Sequence, residues 1–202
     1  FDRYAFPDES RFNDPAYAEL TYTRFAKSLL ATPTTRLCAY ATTSREATEI
    51  LMKVLAKYGF AGYVGKVNMD RNSLPGLLET TRETITQTRL WLEETKNGIG
   101  AIYPILTPRY FPSCTESCLE QLGKLAEEYH VPVQSHLSEG LDEIDWVHEL
   151  APDLDYYAQA YDRAGLLGPH TQAVMAHCVF SSPEEVKTLK RRNVLVAHCP
   201  QS

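Results

Sequence analysis

No stretch of the 202 residues contains the roughly 18 unbroken apolar residues that a helix needs to cross a bilayer, so the sequence predicts no membrane span. The first residues, Phe1-Asp2-Arg3-Tyr4, are polar and mixed, unlike a secretory leader. Positive charge is in short supply. Lys plus Arg is 20 against 26 for Asp plus Glu, giving a net charge of -6 and a pI near 5.5. A nucleic-acid partner or an anionic membrane surface calls for a basic footprint that this balance does not provide. Cysteine is sparse as well. Five residues, an odd number in a chain too large to be a disulfide scaffold, predict free thiols in a reducing, cytoplasmic compartment. Cys114 and Cys118 form a C-x₃-C pair, but with no second pair nearby they read as structural rather than as half a metal site. The G-x-G-x-x-G of a dinucleotide-binding sheet is missing. Gly59, Gly62, Gly65 and Lys66 fail the spacing of a phosphate loop, and Val67 stands where a magnesium-binding hydroxyl is needed. There is no low-complexity tract, long-period repeat or linker, so residues 1–202 read as a single domain. The chain begins without Met and stops at Cys199-Pro-Gln-Ser202 just past an apolar run, so both ends read as cut.

What is present suffices for a core: 44% hydrophobic and 23% charged residues, the proportions of a globular protein. Six runs read as short strands, at 36–42, 61–69, 99–107, 131–136, 172–178 and 193–199. Pro104 and Pro132 each remove a ladder donor from theirs. Helical patterns lie between the runs. Thr43…Glu46, Thr80…Glu83 and Ser113…Glu116 fit the capping box, and Ser182-Pro-Glu-Glu185 adds Pro at the first helical position. Lys187, Lys190, Arg191 and Arg192 crowd one helix end, as a solvated terminus facing its own dipole does. Strands alternating with helices predict parallel βαβ units, which build either an open doubly wound sheet or a closed (β/α)₈ barrel.

The six histidines are not scattered. His136, His177 and His198 end apolar runs, the last two in nearly identical pentapeptides, Val-Met-Ala-His-Cys and Leu-Val-Ala-His-Cys. In parallel α/β folds the C-terminal strand ends form the floor of the active site. One such His is more often a satisfied structural residue; three at equivalent positions point to metal binding or acid–base chemistry. His130, His148 and His170 fall in helical or loop segments and read as surface residues. Glu139 follows His136 by three residues, close enough to turn back over a metal or substrate and move a proton. It is also consistent with an acidic first turn of the helix that runs on through Asp142-Glu143-Ile-Asp-Trp146. Arg109 and Tyr110, directly after the run at 99–107, suit a planar heterocycle through hydrogen bonding and stacking, or else a surface turn rich in proline.

Several segments carry a family resemblance: Gly65-Lys-Val-Asn-Met-Asp70, Thr107-Pro-Arg109, Gln134-Ser-His136-Leu-Ser-Glu139, Asp142-Glu143, Tyr161-Asp162…Gly165-Leu-Leu167, Met175-Ala-His177 and Ala197-His198-Cys-Pro-Gln-Ser202. Together, and over the whole chain, these resemble the guanine deaminases of the amidohydrolase superfamily. The resemblance implies a (β/α)₈ barrel with a single zinc ion, hydrolysing guanine to xanthine and ammonia in purine catabolism, as a cytoplasmic homodimer. It implies His136 as a zinc ligand that also faces substrate, Glu139 as the proton shuttle, and His177 as the residue that orients the water or the attacked centre. Arg109 and Tyr110 would hold the purine. His198 would stand near the mouth.

The sequence also departs from the family. The family takes two zinc ligands from a His-x-His motif after the first barrel strand, and no His-x-His occurs here. Its last ligand is an Asp after the eighth strand, whereas the six runs here align with the second to seventh. A barrel of eight strands typically takes about 250 residues. The resemblance therefore implies the central part of a barrel, with weak zinc binding and little turnover on its own. Two other outcomes stay open: an amidohydrolase acting on another heterocycle, such as an adenosine derivative or a triazine, and an inactive paralogue acting as a binding protein. The separate deaminase class built on H-x-E and P-C-x-x-C is excluded by spacing. Cys114 and Cys118 are too far apart for it, and two residues separate His136 from Glu139.

Overall fold

The computed structural model describes residues 5–169 and 171–200, so His170 lies outside the described residues. Two compact units divide the chain: Phe1–Met69 with Ser73–Ile105, and Asp70–Asn72 with Leu106–Ser202. No helix among the described residues is long and apolar enough to cross a membrane.

The first unit opens with α1 (Ala5–Ser10) and α2 (Pro15–Leu29), continues through β1 (Arg36–Tyr40), α3 (Arg45–Lys57), β2 (Ala61–Gly65), β3 (Val67–Asn68) and α4 (Thr81–Thr95), and ends in β4 (Ile102–Pro104). β1, β2 and β4 pair in parallel in that order, with Tyr40 opposite Gly65 and Val64 opposite Pro104. Gly62 is obligatory in β2: its φ is +133°, and a Cβ there would sit 2.0 Å from the Leu37 carbonyl oxygen. Leu51, Met52 and Leu55 of α3 and Trp91 and Leu92 of α4 are buried, which is the burial that fixes amphipathic helices on a sheet.

The observed strands are all shorter than the runs expected of them, and two of the runs are interrupted. Ile99 bridges Ile102 in an antiparallel turn, with Gly98 and Gly100 at positive φ, so the strand starts at 102 rather than 99. The run at 61–69 breaks at Lys66, whose fully buried ammonium pairs with Glu79 at 2.7 Å. Asn68 just beyond donates to Thr84 and Thr88 of α4 at 2.8 and 2.7 Å.

The second unit contains β5 (Thr107–Pro108), α5 (Glu116–Tyr129), β6 (Val133–Leu137), α6 (Leu141–Leu150), α7 (Ala158–Arg163), β7 (Ala173–His177), α8 (Pro183–Arg191) and β8 (Leu195–Ala197). β6, β7 and β8 are parallel and in chain order, and Leu106 makes a parallel bridge to Val133 at the start of β6. Pro132 costs the sheet nothing there, since only its carbonyl is used, accepting the Leu106 N–H at 2.9 Å. β6 and β7 end level with one another, Leu137 opposite His177.

The caps correct the sequence expectation in detail. Thr80 and Glu83 form the full reciprocal box expected of them. α3 is instead capped by Ser44, which accepts from the Ala47 N–H, and α5 by Thr115, which accepts from the Cys118 N–H. Hydroxyl residues crowd both starts, and the one next to the first helical residue wins. Thr115 is fixed further by Asp70, whose carboxylate accepts from its backbone N–H and its hydroxyl at 2.6 Å each. Nor is the basic end of α8 simply solvated: Arg192 Nε donates to Asp162 Oδ1 at 2.7 Å, which ties α8 to α7.

Candidate active site

The arrangement begins at the end of β6. The His136 ring contacts the Arg109 carbonyl through Nδ1 at 2.6 Å. A carbonyl oxygen only accepts, so Nδ1 bears the hydrogen and Nε2 carries the ring's lone pair. Burial pushes the His136 pKa below its usual value, partly countered by that hydrogen bond, so the imidazole is neutral at pH 7. The pairing of β6 and β7 places Leu137 opposite His177. The imidazoles of His136 and His177 consequently stack, with centroids 5.3 Å apart and planes 22° apart.

His177 is buried. Its Nε2 stands 3.5 Å from Glu139 Oε2, while its Nδ1 has no hydrogen-bond partner among the described residues. Glu139 is not part of a helical first turn. α6 starts at Leu141 with Gly140 at its N-cap, so Glu139 sits in the loop, its side chain 42% exposed beside the buried imidazole.

The backbone around these residues is held in costly conformations. Ser138, His177 and Cys178 have φ of 50°, 74° and 55°, a region that costs a residue with a Cβ about 1–2 kcal/mol. Cross-strand bonds hold it: Cys178 N–H donates to Leu137 O at 2.8 Å, and Phe180 N–H to Ser138 O at 3.0 Å. Strain that the surroundings over-determine in this way is a mark of functional sites.

Beneath the rim lies a polar layer that sequence reasoning missed. Glu143 accepts the Glu139 N–H at 2.9 Å on one oxygen and the Tyr157 hydroxyl at 3.0 Å on the other. Tyr157 also accepts the Phe111 N–H and contacts the Tyr161 hydroxyl. Tyr161 donates to the His136 carbonyl at 3.0 Å and meets Ser135, which in turn bonds the Pro108 carbonyl at 2.7 Å. Burial raises the Glu143 carboxyl above its usual pKa and pushes both phenols well above 10, so the tyrosines are neutral. Glu185 of α8, also buried, accepts from Ser138 Oγ and from the Ala158 N–H, both at 2.7 Å. Ser135, Glu143 and Tyr161 stand in segments that carry the family resemblance, but no role attached to them there; the spacing of Tyr157 and Tyr161, four residues apart and hence on one helix face, was a further signal.

The structure thus brings Glu139, His177 and His136 into one contact series, with Arg109 joined to it through its carbonyl. Tyr110 lies alongside, packed edge-on against Trp146 at 6.2 Å. His198 follows β8 and is exposed, as are His130 and His148. Among the described residues no three His, Cys, Asp or Glu side chains form a metal-holding group. A cavity of about 340 Å³ is lined by residues of α5 and the segment 163–171 and shares none with this arrangement.

Parallel strands that deliver imidazoles at their C-terminal ends are arranged as strands are at the active-site face of parallel α/β barrels. Residues 4–202 match the amidohydrolase family, and the chain belongs to it. It is 40% identical over its whole length to the guanine deaminase of Dictyostelium discoideum and 37% identical over 99% of its length to that of Homo sapiens, covering 44% of each. A crystal structure of the guanine deaminase from C. acetobutylicum with bound guanine superposes with a TM-score of 0.95 at 42% identity, over 98% of this chain and 47% of that one. The chain therefore spans less than half the length of these relatives. Its α/β architecture is that of the amidohydrolase (β/α)₈ barrel, represented here by part of its strands and helices.

Proposed function

We propose that the protein containing this chain hydrolyses guanine to xanthine and ammonia with zinc-activated water, a step of purine catabolism. The observation that carries the reading is the contact series Glu139–His177–His136 at adjoining strand ends, in a chain similar along its full length to guanine deaminases. His136 fits a zinc ligand: its ring is neutral at pH 7, and with Nδ1–H engaged by the Arg109 carbonyl, Nε2 would be the atom to hold the ion. Zinc, when bound, supplies a water whose pKa falls to about 7.

Glu139 accepts the proton of the attacking water and delivers it to a ring nitrogen of the purine. The carbon bearing the amino group becomes electrophilic, and the water oxygen bonds to it. Glu139 then takes the remaining proton of the newly bonded hydroxyl and passes it to the amine; the oxygen's electron pair closes the carbonyl of xanthine as the C–N bond breaks and ammonia leaves. His177 orients the attacking oxygen and stabilises the tetrahedral centre through Nε2. Arg109 and Tyr110 fix the purine, with His136 and Glu139 also facing it. The complete protein acts as a cytoplasmic homodimer, a state that light scattering of the purified protein measures.

The test is ammonia release from guanine by the complete gene product loaded with zinc. Replacing Glu139 by Gln keeps the shape and removes the base. The rate should fall by about 10²–10⁴-fold with zinc content unchanged. Arg109→Ala should act mainly through KM, as loss of uniform binding does. Turnover of an adenosine derivative or a triazine in place of guanine would overturn the substrate assignment. Near-normal turnover by the Gln variant would remove Glu139 from its role.

A further inference from the structure

We infer that Glu143 is a positioning residue, which sets where the Glu139 carboxylate stands relative to His177; this rests on the function proposed above. Glu143 occupies the third residue of α6, where a glutamate commonly reaches back to a helix cap. Here the N-cap is Gly140, which has no side chain to reciprocate, and Glu143 reaches past the Gly140 N–H to take the N–H of Glu139 as well, one residue outside the cap.

Helix capping alone would use one carboxylate oxygen and leave the other in water. The second oxygen is instead engaged by the buried Tyr157 hydroxyl. Tyr157 is itself held by the Phe111 N–H and sits beside Tyr161, which binds the His136 carbonyl. One carboxylate therefore joins the backbone of the proton-shuttling loop to the layer that fixes the strand end bearing His136. On the other side of the same turn, Glu185 holds the Ser138 hydroxyl. Glu139 reaches His177 at only 3.5 Å, the edge of hydrogen-bond range, so a small drift of its backbone breaks that approach. Misplacement by about 1 Å far from the reacting atoms can cost on the order of 10²-fold in rate.

The experiment compares Glu143→Ala, Glu143→Gln and Tyr157→Phe with the unaltered protein, all as complete, zinc-loaded gene products. Deamination kinetics and hydrogen exchange of the segment 137–143 are measured on the same samples. Glu143→Ala should lower kcat by about 10- to 100-fold with KM within about threefold and zinc retained. Gln keeps one acceptor for the Glu139 N–H and should restore most of kcat. Tyr157→Phe should fall between the two. Exchange should rise at 138–140 in Glu143→Ala and stay unchanged in β6.

Unaltered kcat and exchange in Glu143→Ala would overturn the inference. So would exchange rising throughout residues 106–200 in Gln and Ala alike, since that marks general destabilisation. If the unaltered protein releases no ammonia from guanine, the proposed function fails and the exchange pattern alone decides the positioning role.

Discussion

Glu143 is under opposed demands. The N–H groups of Glu139 and Gly140 and the Tyr157 hydroxyl favour its ionised form, yet burial raises its pKa above the usual carboxylate value. A carboxyl whose folded pKa is raised binds protons more tightly in the folded state. Its contribution to stability is complete below about pH 4.5 and is lost as pH climbs through the folded pKa. A Gln at this position does not titrate. The melting temperature of Glu143→Gln minus that of the parent should therefore increase as pH is raised from about 4.5 to 7, measured by thermal melts across that range. A difference independent of pH would show that the carboxylate is fully compensated where it sits. A simpler cost attaches to Tyr161, whose hydroxyl serves both His136 O and Ser135 Oγ. Tyr161→Phe leaves these groups short of a partner in a buried site and should destabilise by about 1–3 kcal/mol in denaturant titration.

At the scale of elements, caps give the cleanest comparison. Thr80→Ala removes one box and should cost about 0.5–2 kcal/mol. Thr115→Ala should exceed it, because Thr115 also donates to Asp70 through its hydroxyl. Urea titration of both variants ranks them, and equal costs would mean that the Asp70 contact adds nothing. Elements were also where the sequence was most legible. The alternation of apolar runs with helical patterns gave the parallel strands, and His136 and His177 could be placed at strand ends because each closes such a run. Strand limits were less legible. The turn at Ile99–Ile102 depends on Gly98 and Gly100 taking positive φ, which an apolar run around them conceals. Cap positions slipped where several hydroxyl residues precede one helix. The layer of Glu143, Tyr157, Tyr161 and Ser135 was largely illegible, because its bonds join three elements through side-chain directions that spacing along the chain does not encode.

At the scale of the whole molecule, Arg109, Tyr110, His136, Glu139 and His177 all belong to the unit formed by Asp70–Asn72 and Leu106–Ser202. The chain has two tryptophans, and each unit contains one. Trp91 is wholly buried in the first, and its indole nitrogen has no hydrogen-bond partner among the described residues. Trp146 is half-buried in the second, edge-on to Tyr110, the aromatic assigned to the purine. The edge-on packing of Trp146 against Tyr110 makes the molecule its own optical sensor. Emission from Trp91 should stay blue and constant, whereas a purine that seats against Tyr110 changes the surroundings of Trp146 and should shift or quench its fluorescence. Titrating guanine into the complete protein should produce a saturable signal, and Trp146→Phe should abolish that signal while turnover continues.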